Sequence, residues 1–175
     1  FLHVVEKFED CCFNDNKVFS NSSVLGGAIH CSSVYEGYLK NCIFLNNFAE
    51  TFFNNSNLNF DFQNIGGAVY LINSNIRFTE CSFVNNSCFK SGGAIYSMKS
   101  KVKIYKSCFK NNSLFDFGSY FNNKQGGSCC FIRSITNLND CEFINNYVIV
   151  DNSSSKIFGG AVYSNGKNYF LTCKN

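Results

Sequence analysis

GGAVYLINSNIRFTECSFVNN, residues 66–86, recurs in close copies from one end of the chain to the other. It opens with two glycines, a small residue and an aliphatic residue, and it closes with Cys-x-Phe and a pair of asparagines. The opening recurs at 26–29, 92–95, 126–129 and 159–162. The closing recurs at 42–47, 107–112 and 141–146, with a diverged copy at 11–16. The chain is therefore an array of repeats.

The spacing within the repeat indicates how the copies are arranged. From the second glycine to the cysteine of the closing motif, the distance is 13–15 residues in every copy, with Ser107 in place of the cysteine once. From the asparagine pair to the next glycine pair, it varies between 6 and 19 residues. A nearly constant segment that alternates with a variable one is typical of stacked structural units with loops on one face.

Alternating side chains predict three short strands in each repeat. The first follows the glycine pair. The second contains Ile76 and Phe78 on one face, with Arg77 pointing away, and the third places Cys81 and Phe83 inward. Such short strands bury little surface in one coil, whereas coils stacked in register bury a continuous column of aromatic rings. The predicted column contains Phe13, Phe44, Phe83, Phe109 and Phe143.

These observations predict an all-β fold, a right-handed parallel β-helix of about five coils, with variable loops between the asparagine turn and the next glycine pair. Residues 1–175 are interpreted as a single β-helix domain. The absence of proline suits uninterrupted strand ladders. Because neither end of the sequence offers a capping coil, we expect further coils of a longer solenoid, or another copy of the chain in a head-to-tail filament, to abut both ends.

Composition excludes some classes of function. The net charge of +3 is mild and does not indicate a nucleic-acid partner. No run of about 18 apolar residues occurs, so no membrane-spanning helix is expected in this region.

The cysteines fall into two groups. One repeat column contains Cys11, Cys42, Cys81, Cys141 and Cys173, and because cysteine is small and readily buried, we interpret these residues as core thiols. The others are the candidates for disulfides, with no pairing implied: Cys12, Cys31, Cys88, Cys108, Cys129 and Cys130. The total of 11 is odd, so at least one is free or pairs outside the chain. The count does not fix the redox compartment.

Five N-x-S/T sequons are candidate glycosylation sites, at Asn21, Asn54, Asn85, Asn111 and Asn152. A chain so rich in asparagine and serine would contain about this number by composition, so the number carries no argument. Three of them, Asn21, Asn54 and Asn152, lie in the variable connections, where a glycan would not obstruct stacking.

The ordered pairs of Gly-Gly-Ala-[Ile/Val] and Phe-x-x-Asn resemble the repeats of the polymorphic outer membrane proteins. The second element occurs at 44–47, 83–86, 109–112 and 143–146. The resemblance spans essentially the whole chain, with departures at Gly-Gly-Ser-Cys (126–129) and at the final 173–175. It implies a right-handed parallel β-helix of the pectin-lyase-like class, exposure at the cell surface and adhesion, and it brings no catalytic residue.

Two alternatives are an intracellular scaffold and a carbohydrate-active enzyme. The enzyme would be a polysaccharide lyase or glycoside hydrolase, since such enzymes share this fold. That chemistry needs carboxylates clustered on neighbouring coils. The outward column before the cysteines reads Asp10, Asn41, Glu80, Lys106, Asp140 and Thr172, in which no two carboxylates are adjacent. The two histidines, His3 and His30, are isolated. We therefore expect no catalytic residues.

Two further patterns have a structural interpretation beside a functional one. The adjacent cysteines at 11–12 and 129–130 lack the Cys-x₂-Cys spacing of zinc sites, and in a strand one of each pair faces inward. No metal or cofactor is expected. Tyr70, Tyr96 and Tyr163 form a column that would suit carbohydrate stacking, but packing on the sheet face is the preferred interpretation.

The sequence therefore predicts a non-enzymatic extracellular or cell-surface structural protein, adhesin-like, which self-associates or continues into further coils. Its external partner would be a host or matrix glycan or protein.

Overall fold

The computed structural model describes residues 5–20, 23–51, 64–116, 123–150, 156–166 and 171–174, which form 25 short strands and no helix. Numbered in chain order, the strands are β1 Val5–Glu9, β2 Cys12–Asn14, β3 Lys17–Ser20, β4 Val24–Leu25, β5 Ile29–Ser32, β6 Glu36–Lys40, β7 Ile43–Leu45, β8 Phe48–Thr51, β9 Asn64–Ile65, β10 Val69–Ile72, β11 Asn75–Thr79, β12 Ser82–Val84, β13 Ser87–Cys88, β14 Ile95–Met98, β15 Lys101–Tyr105, β16 Cys108–Lys110, β17 Ser113–Asp116, β18 Asn123–Gln125, β19 Cys129–Ile132, β20 Ile135–Asn139, β21 Glu142–Ile144, β22 Tyr147–Val150, β23 Lys156–Phe158, β24 Val162–Asn165 and β25 Leu171–Lys174.

Equivalent strands of successive coils pair in parallel and form four long sheets. Sheet 1 has the order β5-β10-β14-β19-β24, and sheet 2 has the order β1-β6-β11-β15-β20-β25. Sheet 3 is β2-β7-β12-β16-β21, and sheet 4 is β3-β8-β13-β17-β22. A shorter column before the glycine pair consists of β4-β9 and β18-β23, which single bridges through Ser91 connect. This arrangement confirms the predicted parallel β-helix.

The structure adds a strand that the sequence pattern did not predict. The three predicted strands of each coil are those of sheets 1, 2 and 3, and a fourth follows the asparagine pair in sheet 4. The strands of sheet 4 read KVFS, FAET, SC, SLFD and YVIV. They share no residue motif, so their pairing follows from the register that the neighbouring corners impose.

The core lies inside the coils and is built around the predicted aromatic column. The rings of Phe13, Phe44, Phe83, Phe109 and Phe143 stack with centroids 4.6 to 4.8 Å apart and interplanar angles of at most 7°. This spacing equals the distance between neighbouring strands. Phe44, Phe83 and Phe109 are fully buried. In-register stacking therefore converts the repeat into a continuous apolar core.

The two glycines of each repeat lie at one corner and have different structural roles. Gly66 has φ 70°, a left-handed conformation that glycine adopts without strain. Gly67 lies against the next coil: a Cβ there would collide with the carbonyl oxygen of Gly93 and would lie 2.5 Å from that of Ser87. The first glycine permits the turn, and the second permits the close approach of coils.

The second asparagine of each pair takes part in a ladder of hydrogen bonds that crosses the coils and is buried at its centre. The Asn86 side-chain oxygen accepts hydrogen bonds from the backbone and side-chain nitrogens of Asn47, at 3.0 and 2.9 Å. The Asn86 amide donates to Oδ1 of Asn112 at 3.0 Å and to the carbonyl of Phe44 at 2.9 Å. All four hydrogen-bonding positions of the amide are thus satisfied. The ladder fixes the register between sheets 3 and 4.

Candidate functional site

The exterior of sheet 2 is the best-formed candidate for a binding surface. Tyr38, Arg77 and Lys103 lie directly opposite one another on the adjacent strands β6, β11 and β15. The Arg77 guanidinium carbon lies 5.5 Å from the ring centroid of Tyr38 and 5.9 Å from that of Tyr105. Contacts of a cation with two aromatic rings restrict its position. The exposed Arg77 therefore presents a planar charged group from a defined place.

Basic residues accumulate on and beside three strands of this sheet. Arg77, Lys101 and Lys103 lie on β11 and β15, and Lys99 and Arg133 occupy the corners that lead from sheet 1 into sheet 2. We call these five residues the cationic face. Strands β11, β15 and β20 contain no aspartate or glutamate. Both salt bridges of the described residues lie elsewhere, so the five charges have no carboxylate partner within this part of the chain.

The carboxylates of sheet 2 are confined to its first two strands, where Glu9 and Glu36 have partners. Glu9 lies 2.7 Å from the Lys7 amine and 3.5 Å from the Lys40 amine. The hydrogen bond from Lys7 lowers the pKa of Glu9. The hydroxyl of Tyr38 donates to Glu36, and this hydrogen bond raises the pKa of Tyr38. The acidic residues of sheet 2 therefore lie at one end of the sheet, and the charged residues of its middle strands β11 and β15 are all basic.

Two members of the cationic face stand in a backbone conformation that favours other residue types. Lys99 has φ 50° and Arg133 has φ 49°. The equivalent corner of the preceding coil has Asn73, also with φ 50°. The left-handed region is several-fold enriched in asparagine and aspartate. Long cations thus occupy corners where asparagine would be less strained.

The outward column in which the sequence indicated no acid–base pair lies at the corner between sheets 2 and 3. Asp10, Asn41, Glu80, Lys106 and Asp140 all adopt positive φ there, between 48° and 56°. The Asn41 amide donates to Asp10 at 2.6 Å, and Lys106 stands between Glu80 and Asp140 in the stack. In the described part of the chain, no group of three or more His, Cys, Asp or Glu residues could hold a metal ion.

The tyrosine column lies on the outer side of sheet 1. Tyr70 and Tyr96 stack with centroids 5.6 Å apart, and His30 meets Tyr70 edge-on. Tyr70 is only 3% exposed, and burial raises the pKa of both tyrosines. Cys130 continues the column and is completely buried. Because Tyr70 is buried and Tyr96 is half-buried, the column packs the sheet and offers no open stacking platform for a sugar at Tyr70.

The ladder cysteines lie inside the coils at the corner between sheets 2 and 3. Cys42 and Cys81 are buried, and their thiols donate to the carbonyls of Lys40 and Thr79, two residues back, at 3.3 and 3.4 Å. Ser107 makes the equivalent hydrogen bond to Tyr105 at 2.8 Å. A hydroxyl thus replaces the thiol without loss of the contact, which explains why serine occurs in this column.

The six disulfide candidates lie in different environments. Cys31 and Cys129 belong to the main core, and Cys88 belongs to a second cluster under sheet 4 with Val24, Ala49 and Leu114. Cys130 is buried outside that core, as the alternation at 129–130 predicts, and Cys12 is exposed. These six candidates are free thiols in the structure, and their pairing stays a prediction.

Register limits which of these cysteines can meet. Cys12 and Cys108 share one outward column of sheet 3, with Ile43 and Ser82 between them. Three strand spacings separate them by roughly 14 Å, too far for a disulfide within one molecule.

A buried lysine near Cys88 was not foreseen from the sequence. Lys124 is fully buried, and its amine donates to the carbonyl of Phe89 at 2.5 Å. Burial raises the pKa of the Cys88 thiol to about 12, while the charge of Lys124 acts in the opposite direction. No pattern in the repeat distinguishes this lysine from the exposed ones, because its strand belongs to the variable connection.

Two sequons fall within the described residues, both at the corner between sheets 3 and 4. Asn85 is exposed with φ 54°, and Asn111 is half-buried with φ 55°. The Asn85 amide donates to Asn46 at 3.3 Å. Asn21, Asn54 and Asn152 lie outside the described residues, and glycosylation at all five stays a prediction.

Sequence reasoning noted that Arg77 points outward but missed its partners. The signal was present, since aligning the repeats places Tyr38, Arg77 and Lys103 in one column. The stacking of Arg77 on Tyr105 could not be read in this way, because that contact is diagonal across two strands.

The fold, the corner ladders and the aromatic column define the class: the chain is a parallel β-helix repeat protein. The Chlamydia polymorphic membrane protein repeat matches it at residues 10–32 and 80–98. Each segment begins at the corner between sheets 2 and 3, includes a glycine pair and ends with the last residue of a sheet 1 strand. The match confirms that the chain contains polymorphic membrane protein-like repeats.

No curated protein and no solved structure matches the chain. Within the residues that the structure describes, no helix is long and apolar enough to cross a membrane.

Proposed function

We propose that the protein is a non-enzymatic structural module of a cell surface, used for adhesion. The observation that carries the proposal is the match of two segments to a repeat of the polymorphic membrane proteins, whose name places that family at a membrane. The residues that recur from one repeat to the next lie in the core and at the corners. The exterior of sheet 2 is then the surface available for recognition.

The architecture suits display and attachment. Stacked coils contact only their neighbours, so the solenoid extends without a change in its cross-section. The Phe column and the Asn ladder hold the strands in register, which fixes the positions of outward side chains such as Arg77. A partner therefore meets an ordered row of side chains and loses little energy in ordering the protein.

Attachment and catalysis are separated by two measurements on the purified chain. Beads coated with the protein should adhere to cells or extracellular matrix, and uncoated beads should not. Incubation with polygalacturonate and a panel of related polysaccharides should release neither unsaturated nor reducing sugars. Sugar release would establish the carbohydrate-active alternative, and failure of coated beads to adhere to every surface tried would refute the adhesive use.

Exposure at the cell surface has its own test. Secretion exposes the sequons to glycosylation where the host attaches N-glycans, so the intact mass of protein from its native source should show hexose-bearing species. Proteolysis of intact cells should also remove the protein. Protection from added protease while the cells remain intact would contradict surface placement.

We further propose that the module self-associates or continues through stacked coils. The outer coils of the described structure expose apolar side chains, among them Phe19 on β3, Ile149 on β22 and Phe158 on β23. Strands with free edges template further pairing. Sedimentation of the 175-residue chain should show association that increases with concentration. A monomer at high concentration, with the amides of its outermost strands protected from exchange, would contradict this.

A further inference from the structure

We propose that the cationic face binds an anionic linear polysaccharide. The site comprises Arg77, Lys99, Lys101, Lys103 and Arg133, and its ligand class is a polymer that carries sulfate or carboxylate groups. The inference deepens the proposed surface function, on which it rests, by naming the ligand and the residues.

Like charges on the cationic face lie side by side and repel one another. Arg77 and Lys103 are direct partners on neighbouring strands, and like charges in that relation destabilise a sheet. Lys101 lies on the same face as Lys103, two residues earlier in β15. Within the described residues no salt bridge relieves this repulsion. A bound polyanion would relieve it.

The spacing of the cations and the fixed position of Arg77 also suit a linear polyanion. Neighbouring strands lie about 4.8 Å apart, and alternate residues along one strand lie roughly 6.7 Å apart. Arg77, Lys101 and Lys103 are therefore three points of a grid of charges with these spacings on the exterior of sheet 2. Arg77 is held between the Tyr38 and Tyr105 rings, so its planar guanidinium is preorganised for the two-pronged hydrogen bonds that sulfate and carboxylate accept.

The corners between sheets 1 and 2 add two more cations to this surface. Lys99 and Arg133 occupy left-handed positions on successive coils, and the Lys99 amide donates to the carbonyl of Ile132. They extend the grid past the edge of the sheet by one more pair of charges. Long cations at both corners, where asparagine fits better, favour a role outside folding.

A nucleic acid fits this surface less well. Single strands bind to positively charged grooves in which bases stack on open aromatic faces. Here the Tyr38 and Tyr105 rings already contact Arg77. The face is a sheet surface with no projecting helix or ribbon of the kind that enters a duplex groove. Sulfates and carboxylates need only the cations.

The experiment measures binding of the full 175-residue chain to immobilised heparin, polygalacturonate, dextran and a single-stranded oligothymidylate at one salt concentration. The test variant combines Arg77→Gln, Lys101→Gln and Lys103→Gln. The control variant combines Lys17→Gln, Lys110→Gln and Lys156→Gln, which are exposed cations on other sheets. Both variants lose the same three charges, so they differ only in where the charge is removed.

We expect binding to heparin or polygalacturonate but not to dextran. Each cation near a polyanionic surface contributes about fivefold to affinity, so the test variant should bind roughly a hundredfold more weakly. The control variant should bind within about threefold of the wild type. Weakening that is equal in both variants, or absent in the test variant, overturns the proposal. Tighter binding to oligothymidylate than to either acidic polysaccharide overturns it in favour of a nucleic acid.

A second measurement needs no variant. Acetylation of lysines, followed by mass spectrometry, should show Lys99, Lys101 and Lys103 protected by heparin while Lys17, Lys110 and Lys156 remain reactive. Uniform protection, or none, contradicts the assignment.

The outcomes separate this inference from the proposed function. Adhesion of coated beads without polyanion binding would refute polysaccharide binding by the cationic face and leave the proposed adhesive function in place. Cleavage of a bound polysaccharide would refute the non-enzymatic function and leave the binding site in place.

Discussion

Asn86→Ala tests the principal device that holds the coils in register. The Asn86 side chain makes four hydrogen bonds, two to Asn47, one to Asn112 and one to Phe44, and the residue is fully buried. Each such bond contributes about 0.5–1.5 kcal/mol net, and each partner left buried without one costs about 1–3 kcal/mol. We expect the free energy of unfolding to fall by about 4–6 kcal/mol.

Asn16→Ala is the matched control, because Asn16 ends the same ladder. Its side chain is exposed and donates one hydrogen bond, to Asn47 at 2.9 Å. The free energy of unfolding should fall by about 1 kcal/mol. Urea titration of the 175-residue chain, followed by far-ultraviolet circular dichroism, measures both values. Equal losses in the two variants would show that the ladder does not act as four cooperating hydrogen bonds.

Asn86→Asp is a more specific test, because the substitution keeps the shape of the side chain and removes both of its N–H donors. An oxygen would then face the acceptors of Asn112 and Phe44, so the ionised carboxyl is disfavoured and its folded-state pKa is raised. The variant should be unstable at neutral pH and regain part of its stability as the pH falls, when the carboxyl becomes a donor. A variant whose stability does not increase on acidification relative to wild type would refute this account.

Three further changes have calculable outcomes. Gly67→Ala forces a Cβ against the backbone of the next coil, whereas among the described residues a Cβ at Gly160 would meet one atom, the carbonyl oxygen of Asn146 at 3.9 Å. The first variant should therefore fail to fold or lose at least about 3 kcal/mol in urea titration, and the Gly160→Ala variant should retain the wild-type unfolding midpoint. The Thr136 hydroxyl is buried without a hydrogen-bond partner, so Thr136→Val should raise the free energy of unfolding by about 1 kcal/mol, and an unchanged or lower value would argue against an unsatisfied group. Burial raises the pKa of the Cys81 thiol from 9.0 to about 11, so the unfolded state releases its proton first and the melting temperature should fall between pH 9 and 11. The melting temperature of the Cys81→Ser variant should fall less over that range. If wild type and variant have the same pH profile, Cys81 does not contribute to the pH dependence of stability.

The corners show how far the sequence alone reaches. The glycine pair, the cysteine column and the asparagine pair each place one residue type at one recurring position, and the structure has a turn at each of them. The reason is local: the left-handed backbone at Asn85 or Gly66, and the absence of a Cβ at Gly67, depend on the residue itself. Repetition then multiplies a weak local signal into a prediction of the fold.

The cationic face depended on tertiary structure. Arg77 and Lys103, like Lys99 and Arg133, are separated by long stretches of sequence and become neighbours only when the coils are stacked in register. The same is true of the contact between Arg77 and Tyr105 and of the buried Lys124, whose strand lies in a variable connection. Local sequence determined which way each side chain points, because alternation along a strand is a property of the backbone. Which outward side chains meet, and whether their charges cancel, was decided by the stacking of coils, because the connections between them differ in length and only the assembled ladders set the register.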